Sequence, residues 1–98
     1  MTINKTLDGN TLNVALEGRL DTVTAPELEA SLREDLDKID SLILDFSKLE
    51  YISSAGLRVL LSAHKSMAGK GGMKVKNVNE IVNEVFEVTG FSDILTIE

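Results

Sequence analysis

A chain of 98 residues, 43% hydrophobic and 27% charged, has the composition of one folded domain and not of a disordered segment. With no cysteine and one histidine, His64, it cannot carry a disulfide framework, a cysteine zinc site, a thiol nucleophile or a histidine-rich metal centre. A net charge of −6 and four scattered aromatics (Phe46, Tyr51, Phe86, Phe91) argue against nucleic acid as a partner, and apolar runs of at most three residues argue against a membrane segment or signal peptide, so a cytoplasmic chain is expected.

Ile3, Lys5 and Leu7 share one side of an extended segment, as do Leu12, Val14 and Leu16, with Asp8-Gly9-Asn10 between. Period-two patterning around an Asp-Gly turn predicts a β-hairpin, closed by Gly18 and Asp21-Thr22. Thr24-Ala25-Pro26-Glu27 reads as a capping box with Pro in the first turn. Leu28, Leu32, Leu36 and Ile39 then recur at helical spacing and carry the helix to about Ile39. Ser41 to Phe46 is a short apolar run whose consecutive Leu42, Ile43 and Leu44 suggest a strand buried on both faces, followed by a polar loop. A second helix is expected over about residues 54–68, with Leu57, Leu60, Leu61, His64 and Met67 on one face and Gly69, Gly71 and Gly72 ending it. Met73 to Lys76 is a short strand. Asn77 to Glu80 opens a third helix through Val88, with Gly90 as its left-handed terminator, and Ile94, Leu95 and Ile97 make a terminal strand or loose end. The order β-β-α-β-α-β-α-β predicts an α/β single domain over residues 1–98. Its mixed sheet has parallel pairs joined by right-handed crossovers and helices packed upon it.

Catalytic chemistry finds little support. His64 has no acid three or four residues away and reads as structural. Gly69-Lys70-Gly71-Gly72 follows a helix and precedes a strand, the reverse of a phosphate-binding loop. The acids of the first helix (Glu27, Glu29, Glu34, Asp35, Asp37) lie opposite its leucines and read as a solvated face. No nucleophile, base and orienter can be assembled, so no enzyme activity and no cofactor or metal is expected.

The informative stretch is DFSKLEYISSAGL, residues 45–57. One of Ser53 and Ser54 serves as the N-cap of the second helix. Ala55-Gly56 then fills the first turn with small residues, although Gly is a poor helix former. A first turn without bulk suggests close approach by another molecule, and the free N–H groups there favour an anion. A bulky residue at Gly56 is expected to crowd the first turn and the docking surface, lowering binding and phosphorylation while helix content barely changes. No acid lies between Arg58 and Asn79, whereas Arg58, Lys65, Lys70, Lys74 and Lys76 do. Lys65 and Lys70 suit the C-terminal end of the helix dipole; Arg58, one turn after Ser54, suits an acidic partner or a phosphate.

DFSKLEYISSAGLRVLL, together with Gly18-Arg19-Leu20-Asp21, Thr24-Ala25-Pro26-Glu27-Leu28 and Thr89-Gly90-Phe91, resembles the STAS domain of the anti-sigma factor antagonist family across the whole chain. The resemblance implies a phosphorylation-switched binding module. Unphosphorylated, it would bind a serine-kinase anti-sigma factor and release a sigma factor; a metal-dependent serine phosphatase would be the second partner. It maps the acceptor to Ser54, with Ser53 as second choice where many members carry Asp. It also implies a partner surface of Asp21, Thr22, Ser53, Ala55, Gly56, Leu57 and Arg58, on a chain expected to be a monomer when free. The alternative is a STAS subunit of another assembly, such as a lipid-transport complex or a stress-signalling particle.

Overall fold

In the computed structural model, which describes residues 1–98, the hairpin forms where the alternation puts it. β1 (Thr2–Asp8) and β2 (Thr11–Leu20) pair antiparallel, with Asp8 opposite Thr11. Gly9 takes φ +61 between them, a conformation open to glycine at no steric cost. The sheet then grows in chain order through β3 (Ser41–Ile52), β4 (Met73–Lys76) and β5 (Thr96–Ile97), each parallel to its predecessor. The crossovers contain α1 (Ala25–Arg33), α2 (Ser54–Met67) and α3 (Glu80–Thr89), the last followed by a short 3-10 turn at Phe91–Asp93. The element order and the mixed sheet are those predicted.

One face of the sheet supplies the core. Leu12, Val14 and Leu16 of β2, Leu42, Leu44 and Phe46 of β3, and Met73 and Val75 of β4 are buried against Leu28 and Leu32 of α1, Leu60 and Met67 of α2, and Val82 and Phe86 of α3. Phe46 and Phe86 meet with ring centroids 6.4 Å apart. The opposite face carries Asn13, Glu17, Asp45 and Lys74. Ile43 belongs to that side and is only half-buried, so β3 is covered on one face and not on both.

β3 does not stop at Phe46. Its buried residues run Leu42, Leu44, Phe46, Leu49, Ile52, with two steps of three in place of two. Each long step coincides with a register shift against β2, between Ala15 and Glu17 and between Gly18 and Arg19. Two bulges therefore return the strand to its core face after the alternation lapses, and the lapse is what imitated a loop.

α1 ends at Arg33, short of the expected Ile39, although Ile39 is buried as its spacing suggested. Two lysines from elsewhere in the chain compete for the backbone there. Lys5 Nζ donates to Ser31 O at 2.7 Å and ion-pairs with Asp35 at 2.7 Å. Lys70 Nζ donates to the carbonyls of Leu36 and Ile39 at 2.6 and 3.1 Å. Lys70 thus caps the exit of the first crossover, not the end of its own helix.

Asp45 joins β3 to the turn before α3. Its Oδ1 accepts from Asn77 Nδ2 and from Ser47 N–H, both at 3.0 Å, and holds Asn77 at φ +59. Chiefly the Asn77 bond, against the opposing effect of burial and with help from Ser47 and Lys76, keeps the Asp45 carboxyl below its ordinary range. A carboxyl depressed by folding stabilises the native state above its unfolded pKa of about 4 and loses that contribution as pH falls through the folded value. In urea titrations the stability advantage of the native chain over Asp45→Asn is therefore expected to be constant above about pH 5 and to shrink on acidification below about pH 4.

Candidate functional site

β2 and β3 end side by side, with Leu20 opposite Ile52. Ser53 N–H extends the pairing by donating to Leu20 O at 2.8 Å. The loop that begins at Asp21 and the helix that begins at Ser54 therefore leave the sheet at adjacent points. This is the carboxyl end of two parallel strands, where open α/β sheets present their binding surfaces.

The two serines divide the work. Ser53 has extended backbone and its hydroxyl accepts from Gly56 N–H at 3.4 Å, a long capping bond. Ser54 is the first helical residue and is exposed. Gly56 and Leu57 are buried. A Cβ on Gly56 would lie 2.7 Å from Leu20 Cγ and 2.9 Å from Ile52 Cγ1. The glycine is thus required by the seating of α2 on the two strand ends, and neither it nor Leu57 offers a surface to a partner. Of the small first turn, Ala55 is the part that reaches the outside.

Asp21 organises the facing loop. Its Oδ1 accepts from Val23 N–H at 3.0 Å and from Thr24 N–H at 3.1 Å. The Thr24 N–H contributes most to holding the carboxyl below its ordinary range, against partial desolvation and with help from Val23, the Thr24 hydroxyl and Arg19. Thr24 does not form the expected capping box: its backbone is already helical, and its hydroxyl donates to Arg19 O at 2.8 Å and accepts from Asp21 N–H at 2.9 Å. The cap of α1 is displaced onto Asp21, three residues earlier.

Thr22, Ala55 and Arg58 line a shallow groove between α1 and α2, with Pro26, Glu29, Arg33 and Val59. The groove continues past Leu36 and Ser66 toward the far ends of the helices. Ser54, exposed, precedes the groove residue Ala55 in the chain but does not itself line the groove. Arg58 is exposed and belongs to no ion pair within the chain. Sequence reasoning missed Arg19 and Tyr51, which are paired across β2 and β3 and turned to the open sheet face. The Arg19 guanidinium lies 4.6 Å from the Tyr51 ring centroid, and its Nε is 3.9 Å from Asp21 Oδ2. Only the parallel register joins residues so distant in sequence. His64 is half-buried, its Nδ1 unpartnered in the helix layer, and it lines neither section of the groove.

Two mutational outcomes follow from this packing. Gly56→Ala is expected to lower unfolding free energy by about 1–3 kcal/mol through overpacking, measured by urea denaturation. The crowding expected at position 56 thus falls on the core contacts with Leu20 and Ile52 and not on a docking surface alone. Ser53→Ala is expected to cost about 0.5–1 kcal/mol, the lower part of the capping range given its long bond, and Ser54→Ala within about 0.5 kcal/mol of nothing. Equal losses in the two variants would contradict the division between cap and exposed hydroxyl.

Residues 2–98 match the STAS domain family. The chain is 37% identical over 99 residues to a protein of Bordetella bronchiseptica provisionally named anti-sigma factor antagonist BtrV, covering 99% of this chain and 84% of that protein. It is 29% identical over 89 residues to the anti-sigma-B factor antagonist of Bacillus subtilis, covering 90% and 82%. Among solved structures, an anti-sigma factor antagonist from Mycobacterium paratuberculosis superposes with TM-score 0.89 at 24% identity, over 98% of this chain and 83% of that one. The relatives are named as antagonists of another protein, which is a binding activity and not catalysis. The chain belongs to the STAS domain family.

Proposed function

We propose that this chain is an anti-sigma factor antagonist switched by phosphorylation of Ser54. Unmodified, it binds a serine-kinase anti-sigma factor and so releases a sigma factor. Phosphorylated, it lets go until a metal-dependent serine phosphatase restores the hydroxyl. The observation that carries this reading is the separation of Ser53 from Ser54: one hydroxyl caps the helix, and its neighbour is exposed at the first helical position, next to Ala55 of the α1–α2 groove. Phosphate on Ser53 would change the group that caps the helix and pairs with Gly56 N–H, whereas phosphate on Ser54 leaves that group as it is.

The electrostatics support the same assignment. A phosphoserine adds roughly −1.5 to −2 charges at neutral pH, and the first turn of a helix accommodates an anion. Ser54 therefore takes the modification without penalty to α2, and the change is confined to the surface. Arg58 lies one turn further along the helix, the spacing at which side chains meet. In the unmodified chain it is free to face an acidic group of the partner; in the phosphorylated chain it is neutralised by its own neighbour. Asp21, Thr22 and Ala55 complete the surface around the hydroxyl.

Incubation with a serine-kinase anti-sigma factor and magnesium ATP should place a single phosphate on Ser54, located by peptide mass spectrometry. Ser54→Ala should bind that kinase but not be modified, and the phosphorylated chain should bind at least about tenfold more weakly. Arg58→Ala should reduce both the affinity of the unmodified form and its salt dependence. Phosphate found on Ser53, or a folded Ser54→Ala protein that fails to bind, would overturn the assignment. Lost amide protection over residues 54–67 on phosphorylation would instead mean release by helix melting.

A further inference from the structure

α3 carries an apolar ridge that the chain leaves open at both ends and covers only in part at its middle residue, Val85. Ile81 and Val88 are 59% and 81% exposed, and Val85 between them is half-buried. At spacings i, i+4 and i+7 the three residues lie in line on one side of the helix. The same helix already sends Val82 and Phe86 into the core, so the ridge is a second apolar face and not the core face turned outward.

The ridge has an electrostatic edge. At about 100° per residue, Glu80, Glu84 and Glu87 fall along one flank of it. α3 contains no basic residue, and none of these glutamates forms an ion pair within the chain. Glu84 lines a shallow groove with Ile81, Val85 and Val88. None of these residues lines the groove between α1 and α2.

We infer that the outer face of α3 is a second docking surface, for an amphipathic helix of a partner protein whose apolar stripe is bordered by Lys or Arg. Burial of the ridge supplies the driving force, and the uncompensated carboxylates select the sign of the partner's charge. A second copy packed α3 against α3 is a poor occupant, because it would bring three more carboxylates to the ridge and no cation. A single helix covers less than the roughly 1,600 Å² of a standard interface, so the contact is expected to be transient, with Kd on the order of micromolar. It is separate from the Ser54 surface and independent of whether that surface is switched.

The test uses the intact protein and a synthetic leucine–lysine peptide with helical periodicity, its lysines along one edge of the leucine stripe. A leucine–glutamate peptide of the same pattern is the control. In NMR titrations the lysine peptide should saturate at one site and shift amides over residues 80–89, while the glutamate peptide should not bind. Ile81→Ser and Val88→Ser lie at exposed positions and should fold; each should weaken the lysine peptide by roughly tenfold. Glu84→Gln with Glu87→Gln should weaken it several-fold and flatten its salt dependence. Shifts scattered over the acidic surface, shifts centred on the α1–α2 groove, or unchanged binding by the serine variants overturn the proposal. A dimer in sedimentation that Val88→Ser dissolves would overturn it in favour of self-association.

Discussion

The close approach of α2 to the ends of β2 and β3 is the constraint on which the site depends. Leu20 and Ile52 leave no room for a side chain at position 56. The helix can therefore come down onto both strands at its first turn, and its start is fixed against the sheet. Ser53 is held by Leu20 O on one side and supplies the cap on the other. With Gly56 seated, Ser54 has one direction left, outward. Its exposure is a consequence of core packing two residues away.

The far side of the same helix pair is tied by lysines in addition to the buried Leu32, Ile39 and Met67. Lys70, just beyond α2, reaches back to Leu36 O and Ile39 O in the exit of the α1 crossover. Lys5 of β1 grips that exit from the other side through Ser31 O and Asp35. The groove between α1 and α2 is thus fixed at both ends. Under the proposed modification, a phosphate on Ser54 would meet a frame with little freedom to adjust, so the surface would change its charge while keeping its shape.

Much of this was legible in the residues. The hairpin, α2, α3 and the turn at Gly90 sit where spacing and caps put them, because each is decided by neighbours in sequence. The errors share a cause. β3 was cut at Phe46 because bulges replace period two by steps of three, and only the facing strand reveals that the inward face resumes at Leu49. A helix read through to Ile39 is too long because the lysines that bind Ser31 O in its last turn and Leu36 O and Ile39 O beyond it come from β1 and from beyond α2. At the site, the motif locates Ser53 and Ser54, and the structure shows that the first caps the helix and the second is exposed. Gly56 suggests an opening for a partner because a glycine looks the same in sequence whether the space it leaves is filled from outside or by Leu20. Arg19 and Tyr51 leave no local signal, since their meeting depends on the register of two parallel strands.

The sequential strand order has a further consequence. Residues 21–40, 53–72 and 77–95 connect the parallel strands, giving crossovers of 20, 20 and 19 residues. Loop-closure entropy hardly distinguishes them, differing by less than about 0.1 kcal/mol. What differs is the ladder each crossover delivers: β2 and β3 are 10 and 12 residues long, β4 is 4 and β5 is 2. Local opening of the sheet is therefore cheapest at β5 and most costly between β2 and β3. The strands that carry Asp21 and Ser53 at their ends are the pair that separates least often. A recognition surface mounted there inherits the slowest fluctuations the molecule has.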